Sequence, residues 1–245
     1  AAVHCVIVGF GLQDVAEKTI FEYEDIKGEA LAVPVSNINP YLVDAPDLVL
    51  EKRNQPICIV PTISYGSMAN DDGHLLLDKE QRNALIAAEP ATAPYIRRYM
   101  GAQEFLNNAE RWCLWLKDIS PSLMRSSNEL RHRIEAVRKF RASSNREATR
   151  NLAATPSLFG EDRQPLKSYL LLPKVSSENR PYMPIGFMPS EVIANGSALT
   201  ISDSGHYEMG VLQSKMHMAW MRAVAGRMKS DYQYSAQIVY NNFPW

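Results

Sequence analysis

"SKMHMAWMRAVAGRMKSDYQYS", residues 214–235, changes its periodicity half-way along. The first half reads as a helix closed by Gly226, a residue suited to the left-handed position after a helix end. In the second half Lys229, Asp231 and Gln233 alternate with Ser230, Tyr232 and Tyr234. Successive side chains of a strand point to opposite faces, so the three hydrogen-bonding groups would project together from one side. A solvated edge strand with Tyr232 and Tyr234 in the core explains the same alternation. Either way, a helix runs directly into a strand, which is the pattern of an α+β fold.

The rest of the chain repeats that mixture. To about residue 65, "VHCVIVGF", "KTIFEYE" and "PICIVPTI" are short strand-like runs, and Pro34, Pro40, Pro46, Pro56 and Pro61 exclude long helices. The middle reads as helical. Asp78 and Gln81 form a capping box, "APYIRRYM" a short helix opening on a proline, and "WCLWL" (112–116) a segment too apolar for the surface. From Asn128, Leu130, Ile134, Val137 and Phe140 fall at near-helical spacing. Beyond Tyr169, "SYLLLPKVS", "YMPIGFM", "EVIANGSALTIS" and "HYEMGVL" return to strand patterns. The expected fold is therefore α+β, with mixed strands in the N- and C-terminal thirds and a helical, arginine-rich middle.

Composition sets outer bounds. A chain of 245 residues, 46% hydrophobic and 22% charged, matches an ordinary soluble protein of one large or two small domains. No apolar run is long enough for a bilayer and no signal peptide is visible, so the chain reads as cytoplasmic, with no membrane partner. Cys5, Cys58 and Cys113 are scattered, which argues for reduced thiols rather than a disulfide framework or zinc site. His4, His74, His132, His206 and His217 have no metal-ligand spacing. The opening "AAVHCVIVGF", already inside an apolar strand, and the closing "YNNFPW" both read as cut from something longer.

Two motifs suggest an enzyme. "VIVGFGLQD" places Gly9 and Gly11 after an apolar run, but Asp14 takes the third glycine position and the next strand follows too soon for a crossover helix. "SNINPYL" (36–42) resembles the Asn-Pro-Pro-Tyr loop of amino-methyltransferases but has one proline between Asn39 and Tyr41; an Asx-type turn is the simpler reading. No serine sits in a G-x-S-x-G elbow. A self-contained nucleotide- or S-adenosylmethionine-binding enzyme using loops 8–11 and 36–42 stays as the alternative. A weaker one is a protein-interaction helix carrying Met216, Met218, Trp220 and Met221, although methionine-rich helices more often face a core.

Charge distribution points elsewhere. Ten arginines lie between residues 97 and 150 against six acids. With Leu130, Ile134 and Val137 turned inward, Arg131, Arg138 and Arg141 would lie on or near the outer face of one helix. Such a face is either merely solvated or placed to neutralise phosphates and release their counterions.

These residues together carry a resemblance. "ERWCLWLKD", "RIEAVRKFRASS", "PKVSSENRPYMPIGFM" and the whole of 210–245 resemble, in order, the C-terminal specificity part of MmeI-like restriction-modification methyltransferases. The resemblance implies a target recognition domain over 12–245, joined at 1–11 to the last strand of a methyltransferase domain. It further implies a parent that methylates adenine in double-stranded DNA with S-adenosylmethionine, itself bound outside this chain. No catalytic or donor-binding motif of the family matches here, and no metal site is implied. In the family, positions matching Lys229 and Asp231 select a base pair. Gln233, and with them Lys174 and Ser197, face neighbouring pairs, while Arg131, Arg138, Lys139, Arg141 and Arg227 are expected on phosphates. The chemistry suits the role: guanine offers N7 and O6 to a lysine, and cytosine offers an amino group to an aspartate.

Overall fold

The structure is a computed structural model that describes residues 6–25 and 27–245. In chain order its elements are β1 (Lys18–Glu22), β2 (Leu31–Val35), β3 (Ile63–Tyr65), β4 (Leu76–Leu77), α1 (Lys79–Ala88), β5 (Ile96–Met100), α2 (Ala102–Asn107), β6 (Trp112–Leu114), α3 (Pro121–Ser126) and α4 (Asn128–Ala142). There follow α5 (Glu147–Asn151), β7 (Tyr169–Pro173), β8 (Val175–Ser176), β9 (Gly186–Met188), β10 (Ile193–Ala194), β11 (Ala198–Ser202), α6 (His206–Leu212), α7 (Lys215–Val224), β12 (Gly226–Met228) and β13 (Asp231–Gln233). A π-helical turn, Ala236–Tyr240, leads to the end. The α+β expectation holds. Among the described residues no helix is long and apolar enough to cross a membrane.

Two cores organise these elements. The sheet β10-β5-β6-β4 packs Leu77, Ile96 and Leu114 against Leu85 of α1 and Leu130, Ile134 and Val137 of α4. In the second core the antiparallel sheet β3-β11-β7-β9 packs Leu170, Leu172, Leu199 and Ile201 against Met218 and Met221 of α7 and against Tyr232, Tyr234 and Tyr240. Every residue of β7 is buried, because its other face, Tyr169 and Leu171, meets Met100 of β5. That two-sided burial is why the run "YLLLP" lacks alternation. The parallel pair β5–β10 and the short link from β10 to β11 join the two sheets.

Local signals explain several boundaries. The Asp78–Gln81 capping box is formed in both directions, at 2.7 and 3.1 Å. Helix α4 begins where the Ser127 hydroxyl accepts from the Leu130 N–H, and Glu89 receives the neighbouring N–H groups of Asn128 and Glu129. A carboxylate there also complements the positive end of the helix dipole.

Other expectations are corrected. "HYEMGVL" is a helix, α6, because Glu208 reaches back to the Gly205 N–H at 2.6 Å and starts it. Ile96–Met100 is a strand after a 3-10 turn at Pro90–Tyr95, since Arg97 and Arg98 pair with Cys113 and Trp112. Gly226 does not cap α7 in the left-handed region; Ala225 leaves the helix extended, and Gly226 opens β12. Residues 6–17 form neither strand nor helix, and Val6, Ile7, Phe10 and Leu12 are exposed. The remainder of the expected opening strand, with His4 and Cys5, lies outside the described residues.

Candidate nucleic-acid interface

The alternating stretch is a hairpin rather than one strand. Met228 pairs with Asp231, so Lys229 and Ser230 form a two-residue turn between β12 and β13. Lys229 therefore does not share the strand face of Asp231 and Gln233, as the alternation alone suggests. It occupies the left-handed region (φ 58°) that glycine or asparagine fills at least cost. The rest of the pattern behaves as expected: Tyr232 and Tyr234 are buried while Asp231 and Gln233 stay partly exposed.

The aromatic side of the hairpin is anchored. Tyr234 meets His217 of α7 at 2.9 Å between Oη and Nε2, and Tyr232 carries the Arg227 guanidinium 3.8 Å above its ring. Arg227 also donates to the Ser230 carbonyl at 2.9 Å and lies 3.9 Å from Glu178, which ties it to the turn. Burial holds the Tyr234 hydroxyl well above the usual phenol range and lowers His217 to about 4. His217 is thus neutral in the fold, and its Nδ1 has no hydrogen-bond partner among the described residues. A folded pKa below the unfolded one means that the unfolded chain takes up the proton. That part of the stability is complete above about pH 6.5 and drains away toward pH 4, amounting to about 3 kcal/mol. Urea unfolding of wild type and His217→Gln at pH 7 and pH 4 should show this extra loss only in wild type.

Lys174 and Ser197 stand beside the hairpin. The Lys174 carbonyl accepts from the Tyr234 N–H at 2.7 Å, and its own N–H donates to the Ser197 carbonyl at 3.1 Å. Through β8, Val175 pairs with Gln233. Backbone bonds therefore link the hairpin to Lys174, and Lys174 to Ser197. The Ser197 hydroxyl is already engaged, donating to Asn195 Oδ1 at 2.6 Å and accepting from the Ala102 N–H at 2.9 Å. Asn195 itself is wedged against Gly66 and Gly101, where any Cβ would collide with it.

A feature that sequence reasoning missed lies alongside. Tyr65, on β3, has the Lys174 ammonium 4.2 Å and the Arg163 guanidinium 5.8 Å from its ring centroid. Burial first, and then Arg163, push the Lys174 pKa below the ordinary lysine value. No spacing rule links residues 65, 163 and 174; only the pairing of β3 with β11 and β11 with β7 brings them together.

The expected phosphate contacts divide. Arg131, Arg138 and Lys139 lie on the exposed side of α4; Arg131 donates to Asn128 at 2.6 Å and Arg138 stands 3.7 Å from Glu135. Arg141 is a correction, being fully buried. Its guanidinium donates to the carbonyls of Asn70, Leu152, Thr155, Ala69 and Leu158 at 2.8–3.0 Å. All five donors of the group are spent inside the protein. Phe140, expected inward, is exposed instead. Helix α4 packs on the first core and the hairpin on the second, so the arginine-rich middle and the polar hairpin are carried by different layers.

The loops behind the enzyme alternative are accounted for differently. Asn39 Oδ1 accepts from the Tyr41 and Val43 N–H groups at 2.9 and 3.3 Å, an Asx-type turn, and the Tyr41 hydroxyl accepts from Leu50 N–H. The Asn39 side chain is buried, so its amide is not offered to a base.

Comparison with known proteins identifies the family. The family model described as "MmeI, target recognition domain" matches residues 44–245. The chain belongs to that family. The chain is 38% identical, over all 245 residues, to DNA methyltransferase A of Bacillus subtilis (strain 168), of which it covers 27%. It also superimposes with a TM-score of 0.94 and 47% identity on a solved structure of the Type IIL restriction-modification enzyme MmeI in complex with DNA, covering 100% of this chain and 33% of that one. The target recognition chain thus spans about a quarter to a third of these relatives.

Proposed function

We propose that this chain is the DNA-reading part of an adenine-specific, restriction-modification DNA methyltransferase. It binds double-stranded DNA and selects sequence by placing the turn and strand of the β12–β13 hairpin against base edges in the major groove. The observation that carries the reading is the hairpin itself. Its tyrosines are locked into the core, while Lys229, Asp231 and Gln233 remain at least partly exposed, and backbone bonds tie the hairpin at Tyr234 to Lys174 and Lys174 to Ser197. A lysine kept in a left-handed turn position, at a backbone cost of roughly 1 kcal/mol, is the kind of local strain that function retains. Lys229 donating to guanine and Asp231 accepting from cytosine would read one G·C pair from both strands.

Arg131, Arg138, Lys139 and Arg227 supply cations for phosphates, and Arg141 is excluded by its burial. Methyl transfer lies outside these residues. This reading assigns S-adenosylmethionine to the parent enzyme; Gly9 and Gly11 lie in a segment, residues 6–17, that forms neither strand nor helix. The exposed Val6, Ile7, Phe10 and Leu12, with Phe21, Tyr23 and Leu31 in and beside the β1–β2 hairpin, precede the family match at residue 44 and suit an intramolecular methyltransferase domain. A cytoplasmic location accompanies this role.

Fluorescence anisotropy with labelled duplexes across a salt series tests the reading. Several phosphate contacts predict an affinity drop of about ten-fold or more for a four-fold rise in salt. Binding that is undetectable at low salt, or indifferent to salt, would contradict it.

A further inference from the structure

We propose that Tyr65 is a positioning residue for the Lys174 ammonium, and that it thereby sets the base-pair preference at the position Lys174 faces. This rests on the DNA-reading function above. The Lys174 backbone is clamped on both sides, by Ser197 and by Tyr234, so its stem starts from a fixed point. Its ammonium has no carboxylate within salt-bridge distance among the described residues. What it has is the ring of Tyr65, 4.2 Å from nitrogen to centroid. An ammonium over an aromatic face is held by the ring quadrupole, and a flexible four-carbon stem is thereby confined before any ligand arrives.

Tyr65 is itself well fixed. It pairs with Leu199 of β11, two residues beyond Ser197, and Gly66 next to it is pressed against Asn195. The residue as a whole remains 40% exposed. Arg163 lies over the same ring but is paired with Glu161, so it limits where the Lys174 ammonium can settle without competing for an acceptor. The depressed Lys174 pKa agrees with a partly desolvated amine, which gives up less water on meeting a base edge. With the ring removed, the ammonium is free to wander to phosphates, which carry no sequence information.

Selection of binding sites from a randomised duplex pool, with the 245-residue chain as wild type, Tyr65→Phe, Tyr65→Leu and Lys174→Ala, tests this. Tyr65→Leu should relax preference by roughly three- to thirty-fold at one site position, the same one that Lys174→Ala relaxes, and leave the others alone. Tyr65→Phe, which keeps the ring face, should retain wild-type preference. An unchanged preference in Tyr65→Leu, an equal loss at all positions, or relaxation at a different position from Lys174→Ala would overturn the proposal. A wild-type chain that enriches no sequence would sink the DNA-reading function as well, which separates the two failures. Should Tyr65→Leu not fold, NMR decides: the Lys174 ε-methylene protons should be shifted upfield by the ring in wild type and Tyr65→Phe, and ordinary lysine shifts in both would overturn the contact.

Discussion

Replacing Arg141 by methionine should destabilise the fold by about 4 kcal/mol or more, and lower the thermal midpoint by roughly 10 °C. The side chain is completely buried, and five backbone carbonyls, at residues 69, 70, 152, 155 and 158, converge on it. Methionine would fill much of the volume but leave those acceptors without donors in a place water does not reach, which is the expensive half of losing a hydrogen bond. Lysine should recover less than half of the loss, because three donors on a flexible stem cannot serve five acceptors set around a planar fork. Thermal and urea denaturation measure both. An Arg141→Met protein that melts like wild type yet binds duplexes more weakly would return this residue to the phosphate-facing surface.

The contrast between Arg141 and its neighbours shows what the sequence could and could not reveal. The start of α4 at Asn128 was readable from the spacing of Leu130, Ile134 and Val137, and the structure places that helix at Asn128–Ala142. The same spacing, continued by four, lands on residue 141 rather than 140, yet hydropathy assigns the inward place to Phe140 and the outward one to an arginine. Only the carbonyls of 69–70, far back in the chain, and of 152–158, beyond the end of the helix, turn the buried position into a polar one. Tyr232 and Tyr234 were legible as core residues because alternation needs no tertiary information.

The turn at Lys229 was not legible, since Lys-Ser has none of the glycine or asparagine chemistry that marks a two-residue hairpin. "HYEMGVL" is ambiguous in sequence because a short apolar alternation suits strand and helix alike, and the deciding bond, donated by the Gly205 N–H to Glu208, is a capping interaction. Lys174 and Ser197 could be tied to the hairpin by resemblance alone; their backbone bonds to each other and to Tyr234 supply the physical link. Tyr65 had no signal at all, because its role depends on strand order.

Exchanging Lys229 and Asp231 should invert the preferred base pair at one position of the recognised site. Each correct pairing of side chain and base edge contributes roughly 1–3 kcal/mol of discrimination, so losing it on the original pair and regaining it on the swapped pair shifts the ratio by about 2–6 kcal/mol. The hairpin tolerates the exchange in the core, since Tyr232 and Tyr234 keep their places and neither exchanged side chain is buried. The turn position costs aspartate less than lysine, because its short polar side chain suits the left-handed region. Gln233 is left untouched in this variant, so the neighbouring pair serves as an internal control.

The most direct measurement is therefore a side-by-side selection from a randomised duplex pool at low salt, with the wild-type chain and the exchanged variant. The account predicts one enriched motif for each protein, differing by a G·C to C·G reversal at a single position and alike elsewhere. Identical motifs from the two proteins, or a wild-type chain that enriches no motif, would contradict the claim that this hairpin reads DNA.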